Sequence, residues 1–172
     1  WLGTDELGRD VLTRIIFGAR VSIAVSVIAI TIALFFGIIF GMISGFYGGW
    51  SSSVIMRTMD ALAAFPAVLL ALGILSALGP GIRNAMIAIG VVYIPAFARV
   101  MRGSVLAVKQ SEYVEAARAS GASPAYIMRK SIFPNCISPL LVHSSIGFAN
   151  AIIVEAALSF LGLGTQPPTA SW

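Results

Sequence analysis

Long apolar stretches separated by short islands of charge run along this chain of 172 residues. No Asp, Glu, Lys or Arg occurs in residues 21–56, 61–82, 84–98 or 131–154. A helix that crosses the hydrocarbon core needs about 20 largely apolar residues, so each stretch with its flanks can supply a membrane span. The run from Val21 to Phe46 lacks the alternation of barrel strands, which favours helices whose backbone groups are paired within each segment. The predicted fold class is therefore all-α, a polytopic helical membrane protein.

Four spans and one amphipathic segment follow from this pattern. Residues 1–20 carry apolar positions at helical spacing, and we expect an amphipathic lead-in helix that is capped by Thr4. The stretch FYGGWSSS after the first span is expected to be a turn-rich loop. The spans are predicted at about residues 21–45, 60–78, 83–101 and 137–161.

Three glycines recur at every fourth position of the first predicted span. Gly37, Gly41 and Gly45 share one helical face, and this spacing lets a second helix approach closely. The alternative is the ordinary enrichment of glycine in membrane helices. We expect close packing along this face.

Composition narrows the class of protein further. Hydrophobic residues make up 58% of the chain and charged residues 10%, against about 25% charged residues in soluble domains. The mean hydropathy of +0.94 agrees with this excess. A disordered protein and a typical soluble enzyme are therefore excluded. A nucleic-acid binder is disfavoured despite the pI of about 9.7, because 11 basic residues are few beside so much apolar sequence.

The distribution of charge predicts which loop faces the cytoplasm. Residues 99–130 contain six basic and two acidic side chains, so six minus two gives +4, the whole net charge of the chain. By the positive-inside rule the segment 102–135 is cytoplasmic, which places the lead-in at 1–20 and the tail after 161 on the outer side.

This cytoplasmic segment reads as two short helices rather than as a flexible tether. Ser111 is placed to cap a first helix that ends at Gly121. Ser123 and Pro124 are placed to begin a second one, and Pro134 is expected to break the chain before the next span. Such a compact protrusion, with small residues along one face, is suited to dock into a groove of a partner protein.

Three motifs carry a resemblance to a known family. The cytoplasmic segment resembles the EAA loop of ABC importer permeases. The stretches LGTDELGRDVLTRIIFGARVS (Leu2 to Ser22) and EAALSFLGLGTQPPTASW (Glu155 to Trp172) resemble the C-type permease subunit of dipeptide, oligopeptide and nickel importers. The loop motif consists of Glu115-Ala116-Ala117-x-x-x-Gly121, then Ile127, then Pro134-Asn135.

The resemblance implies a type I ABC importer transmembrane domain with six spans. One span would precede residue 1 and one would follow Trp172, so the chain, which starts at Trp1 and not at Met, is expected to be a fragment cut at both ends. The implied function is that of a non-catalytic permease subunit, without a cofactor, in the inner or plasma membrane of a prokaryote. It would form the pathway for peptides, or for nickel and related small solutes.

The same resemblance implies a set of partners and a coupling site. The partners are a homologous second permease, two ABC ATPase subunits, an extracytoplasmic solute-binding protein and the lipid bilayer, with no nucleic acid. The chain has no G-x-x-x-x-G-K-[ST] phosphate loop, so ATP would be bound and hydrolysed by the ATPase subunits. The implied ATPase-coupling residues are Tyr113, Glu115, Ala116, Ala117, Gly121, Ala122, Ile127 and Pro134.

Ionisable residues in or beside the predicted spans are candidates for the pathway or for helix interfaces. Asp60 is expected to pair with Arg57, and Glu155 to lie near the outer interface. His143 is expected to hydrogen-bond a neighbouring helix or Ser144. A single histidine without cysteine or carboxylate at ligand spacing predicts no metal site, and no grouping of residues suggests a catalytic one.

Two other classes of function remain as alternatives. An ion-gradient-driven secondary transporter or channel would need acidic residues in several spans, and only Glu155 and Asp60 qualify. A membrane-embedded enzyme or a non-transporting assembly subunit would need a catalytic cluster or a purely structural role. The ABC permease interpretation accounts for more of the sequence than either.

Overall fold

Every secondary-structure element in the described part of the chain is a helix. The structure is a computed structural model that describes residues 3, 4, 8 and 10–164. Within these residues, three helices are long and apolar enough to cross a membrane, and one bent pair would make a fourth. The prediction of an all-α fold is confirmed. The elements are α1 (Val11–Tyr47), α2 (Gly49–Ala63), α3 (Ala67–Leu78), α4 (Ile82–Val108), α5 (Glu112–Ala119), α6 (Pro124–Tyr126), a π turn (Ile127–Ile132) and α7 (Phe133–Phe160).

The first helix begins later than the sequence suggests, and a different residue caps it. The backbone N–H of Thr13 donates to Asp10 Oδ2 at 3.1 Å, and the Thr13 hydroxyl donates to the same oxygen. These hydrogen bonds lower the pKa of the Asp10 carboxyl. The prediction of a Thr4 cap is wrong, since Gly8, at φ 73°, interrupts helical backbone and α1 starts at Val11. Residues 1, 2, 5–7 and 9 of the predicted lead-in lie outside the described residues.

The connection between α1 and α2 is much tighter than a loop. Gly48 alone separates the two helices, where a turn-rich stretch FYGGWSSS was expected. Gly48 and Gly49 have φ values of 68° and 55°, a backbone region that glycine adopts without strain. These two consecutive glycines with positive φ change the direction of the chain between the helices. No longer loop is needed, so Trp50 to Ser53 belong to α2.

The second predicted span is not one straight helix. The pair α2 and α3 is bent by 94° at a break that contains Phe65 and Pro66. Proline has no N–H to donate and disfavours helical backbone in the residue before it, so α2 ends at Ala63. The residues of the predicted span at 60–78 therefore belong to two helices that meet at a bend, and the pair can make at most one broken span.

The last two long helices both differ from their predicted bounds, α4 at its C-terminus and α7 at its N-terminus. The helix α4 continues to Val108 instead of ending near residue 101. Pro134 does not break the chain, because helical structure is continuous from Pro124 to Phe160. The π turn Ile127–Ile132 lies immediately before this proline and shifts the hydrogen-bond register there, which accommodates the missing N–H.

The described chain divides into two compact units. The first comprises the described residues within Trp1–Ile32, Phe65–Val92 and Gly147–Trp172. In it, Gly90 lies against α1, where a Cβ would come within 2.9 Å of Ile32 Cγ2. The Asn84 side-chain amide donates to the carbonyls of Leu78 and Gly79 and so closes the end of α3.

The second unit, Ala33–Ala64 with Tyr93–Ile146, is organised by the glycine face of α1. A Cβ at Gly41 would lie 2.5 Å from the Ala98 carbonyl oxygen and 2.6 Å from Met101 Cβ. A Cβ at Gly45 would lie 2.8 Å from Val105 Cβ, and one at Gly37 would meet Phe97. The backbones of α1 and α4 therefore approach closely along all three glycines, which confirms the prediction made from their spacing.

We expect Gly41→Ala to destabilise the protein by about 1–3 kcal/mol, because the added methyl group would meet backbone atoms of α4 that cannot move alone. Gly73→Ala is the matched control, since nothing lies within 4 Å of a Cβ there and alanine is the better helix former. Thermal denaturation in detergent measures both. Equal melting temperatures for the two variants would contradict the close packing of α1 on α4.

Candidate functional site

The candidate site is the short helix α5 with the turn that follows it. Ser111 occupies the N-cap position, although its hydroxyl donates to the Val108 carbonyl instead of accepting from the first turn. Glu112 and Glu115 lie in the first turn and Arg118 in the last. Acidic side chains at the start and a basic one at the end interact favourably with the helix dipole. They therefore stabilise a helix of only eight residues.

The end of α5 is fixed by backbone hydrogen bonds around a glycine. Gly121, at φ 77°, donates its N–H to the Arg118 carbonyl at 2.9 Å. The N–H of Ala122 reaches further back, to the Ala117 carbonyl at 3.1 Å. This pair of bonds is a Schellman motif, which satisfies carbonyls that the helix end would leave open. The glycine at this position is therefore a fixed stop and not a freely moving joint.

The chain then turns directly into the next helix. The Ser123 side chain accepts from the Tyr126 N–H at 3.3 Å, and Pro124 occupies the first helical position, as predicted. The helix α5 packs against the π turn that follows. Val114 and Ile132 are fully buried and Ile127 nearly so, which gives this small assembly an apolar interior.

The predicted coupling residues divide into an exposed and a buried set. The side chains of Tyr113, Glu115 and Ala116 are exposed on α5. Ile127 is buried, so it holds the assembly together from within and presents no surface. Of the remaining predicted residues, Gly121 and Pro134 are exposed and Ala117 and Ala122 are half-buried. The outward-facing side of the helix, here called the exposed face of α5, consists of Glu112, Glu115, Ala116 and Ala119.

Phe46, at the end of α1, anchors this segment, and the sequence analysis missed it. Lys109 Nζ donates to the Phe46 carbonyl at 2.6 Å and lies 5.7 Å from the centre of its ring. The guanidinium carbon of Arg118 lies 5.8 Å from the same ring centre. Cation–aromatic contacts of this kind stabilise by about 0.5–1 kcal/mol at exposed sites. Nothing in the sequence marks the pairing, because 63 residues separate Phe46 from Lys109.

Arg118 lies three positions after Glu115 on α5, a spacing at which oppositely charged side chains can pair. The structure places its guanidinium on the Phe46 ring instead. Within the described part of the chain, no ion pair is formed by Glu115, and its carboxylate is exposed. The acidic group is therefore available at the surface, on the exposed face of α5.

Asp60, one of the ionisable residues beside the predicted spans, has a different partner from the one expected. Asp60 pairs with Arg99, whose Nη2 lies 2.8 Å from Asp60 Oδ1. The expected pairing with Arg57 is wrong, because α2 and α4 pack so that Arg99 reaches the carboxylate from 39 residues away.

His143 and Glu155 also have partners that differ from those expected. The His143 ring meets Phe97 edge-on, with centroids 4.9 Å apart, while the Ser144 hydroxyl donates to the Leu140 carbonyl. The expected His143–Ser144 bond is therefore wrong. Glu155 lies in the first unit with 1% exposure and accepts from the Ser159 hydroxyl at 2.8 Å, so its side chain is buried within the protein, and its expected position near the outer interface stays a prediction.

We expect Phe46→Leu to loosen α5 selectively, because it removes both cation–aromatic contacts and keeps the backbone carbonyl that Lys109 uses. Amide hydrogen exchange over residues 112–119 should rise roughly fivefold, the equivalent of about 1 kcal/mol.

Phe35→Leu is the control for this experiment, since Phe35 lies on the same helix and is 60% exposed. It should leave exchange in α5 unchanged. If the two variants affected α5 equally, Phe46 would not be its anchor.

Comparisons with known proteins identify a family. Residues 37–172 match the family described as binding-protein-dependent transport system inner membrane component. The dipeptide transport system permease protein DppC of Alkalihalophilus pseudofirmus is 45% identical over 172 residues, which is all of this chain and 57% of that protein. The glutathione transport system permease protein GsiD of Escherichia coli O6:K15:H31 is also 45% identical over 172 residues, which is again all of this chain and 57% of that protein. The chain thus spans little more than half the length of these relatives.

A solved structure shares the fold at much lower sequence identity. A chain of the MetNI methionine ABC transporter in an inward-facing conformation superposes with a TM-score of 0.77 at 18% identity. The match covers 90% of this chain and 77% of that one. At this identity the likeness is one of fold alone.

Proposed function

This chain belongs to the family of binding-protein-dependent transport system inner membrane components, and we propose that it couples ATP hydrolysis by partner subunits to the import of short peptides. The observation that carries the proposal is the helix α5, which presents an exposed acidic and small-residue face on an internally packed support. The family membership expected from the EAA segment and the two flanking motifs is confirmed by the match over residues 37–172.

Rigidity is the property that a coupling element needs. A partner can shift the conformation of the permease only by the difference in its binding energy between two states, and a soft contact would dissipate that difference locally. The Schellman motif at Gly121, the buried Val114 and the Phe46 anchor each oppose local bending of α5. A force applied to α5 would therefore move the π turn and the start of α7 with it.

The exposed face of α5 has the shape and charge of a docking surface. Ala116 and Ala119 allow a partner to approach the helix backbone closely, while Glu112 and Glu115 offer carboxylates to basic groups. Docking of a short helix into a groove of a partner subunit is a common mode of recognition. We propose that an ABC ATPase provides the groove and that Gly121, Ala122, Ile127 and Pro134 fix the geometry of the presented helix.

The remaining partners and the cargo are proposed from the family and its relatives. The family description names a binding protein, which supports delivery of cargo by an extracytoplasmic solute-binding protein. A homologous second permease and a second ATPase would complete the pathway. Relatives named for dipeptide and glutathione transport support short peptides as cargo. Asp60 and His143 are proposed as helix-interface residues because each contacts a side chain of α4, and Glu155 because it is buried in the first unit.

We expect Ala116→Arg to weaken association of the ATPase with the assembled permease about tenfold or more, since a long charged side chain on a close-packed face costs about 1–3 kcal/mol. Co-purification and ATP-dependent peptide uptake measure the effect.

The matched control is Ala125→Arg, the same change at an exposed position of α6 outside the exposed face of α5. Its ATPase association should equal that of the unmodified protein. Full ATPase association and full peptide uptake in Ala116→Arg would contradict the docking proposal.

The inner placement of α5 is tested independently by cysteine labelling. Cys136 is buried, so Cys136→Ala provides a background into which Ser120→Cys or Pro80→Cys is introduced, both at exposed positions. An impermeant maleimide should label Pro80→Cys in intact cells and Ser120→Cys only in inside-out vesicles. The reverse pattern would place α5 outside and refute the proposed coupling.

A further inference from the structure

A polar cavity in the second unit lies apart from the exposed face of α5. Its volume is about 350 Å³, within the range of about 300–1,000 Å³ that is common for ligand pockets. It is formed by the end of α1, one face of α2 and the C-terminal part of α4. The polar side chains that line it are Ser44, Ser52, Ser53, Arg57, Asp60 and Arg102.

Two guanidinium groups give the cavity its charge. Arg102 Nε donates to Ser52 Oγ at 3.2 Å, and Ser52 is in turn 2.8 Å from Ser44 Oγ, so this side chain is held in place. Among the described residues, no acceptor is recorded for the terminal nitrogens of Arg102 or for Arg57. The one carboxylate on the wall, that of Asp60, is already paired with Arg99. The cavity therefore offers a surplus of N–H donors without an acceptor.

An exposed apolar strip of α2 adjoins Arg57. Trp50 is 82% exposed and Val54 43%. Trp50 lies seven positions and Val54 three positions before Arg57, so the three side chains follow one another along a single helical stripe. Trp50 and Val54 are here called the apolar side of α2. Exposed tryptophan beside a basic side chain is typical of the membrane–water interface, where phospholipid headgroups lie.

We propose that this cavity binds the phosphate of an anionic phospholipid headgroup from the cytoplasmic leaflet. The planar guanidinium groups of Arg57 and Arg102 donate to the phosphate oxygens, and the hydroxyl of Ser53 lies on the same wall. The acyl chains extend along the apolar side of α2. Basic pockets between membrane helices on the cytoplasmic side are general sites for such headgroups. The inference requires the inner placement of this end of the bundle and is independent of ATPase docking.

The test is a lipid titration of the assembled transporter, followed by native mass spectrometry. The probes are dioleoyl-phosphatidylglycerol and, as the zwitterionic comparison, dioleoyl-phosphatidylcholine. The unmodified protein should retain phosphatidylglycerol in preference to phosphatidylcholine. The double variant Arg57→Gln/Arg102→Gln should weaken phosphatidylglycerol binding on the order of 25-fold, because each cation near an anionic lipid contributes about a fivefold factor.

Arg129→Gln is the matched control, since Arg129 is an exposed cation of the same predicted cytoplasmic segment that does not line the cavity. It should bind phosphatidylglycerol as the unmodified protein does. Ser53→Asp is the second variant, because it keeps both arginines and adds a negative charge to the cavity wall. It should also reduce binding, even if the double variant fails to assemble.

Each remaining outcome overturns the proposal. Equal retention of the two lipids, or equal losses in Arg129→Gln and the double variant, would leave only nonspecific charge attraction. Displacement of the lipid by inorganic phosphate in modest excess would mean that the cavity serves a free anion. Because lipid retention is read without uptake or ATP hydrolysis, a failure of the coupling proposal leaves this result interpretable, and the converse also holds.

Discussion

The close approach of α1 and α4 is the constraint on which the second unit depends. Helices in lipid gain little from the hydrophobic effect, so their association relies on direct packing and on polar contacts. Gly37, Gly41 and Gly45 leave no room for a Cβ beside α4, which brings the two backbones together. At this separation the end of α1 reaches the end of α4, and Lys109 can bond the Phe46 carbonyl. The support for α5 is a consequence of that contact.

The same packing gives three arginines of residues 99–130 a definite partner. In the sequence these residues form a cluster that orients the protein by its net charge. In the structure Arg99 neutralises Asp60, Arg102 is held by Ser52, and Arg118 covers the Phe46 ring. The positive charge is thus distributed over three separate contacts between helices. The contact between Arg102 and Ser52 leaves the rest of the Arg102 guanidinium group at the cavity beside α2.

The bend at Pro66 divides one helical segment into two helices, α2 and α3, with different surroundings. Pro66 ends the first helix, and the second continues at 94° to it. Because of this break, α2 can present Arg57 and Asp60 to the cavity, while α3 is apolar nearly throughout. A single straight span could not satisfy both requirements.

The sequence by itself determined the all-helical fold, the family, the two ends of α5 and the start of α6. These rest on local signals, because apolar length, a glycine in the left-handed region and a Ser-Pro start act over a few residues. The tertiary structure alone decided the partners of Asp60, His143 and Arg118, the continuity through Pro134 and the burial of Ile127. These depend on groups tens of residues apart, and only the packing of helices sets which of several possible partners lies within reach.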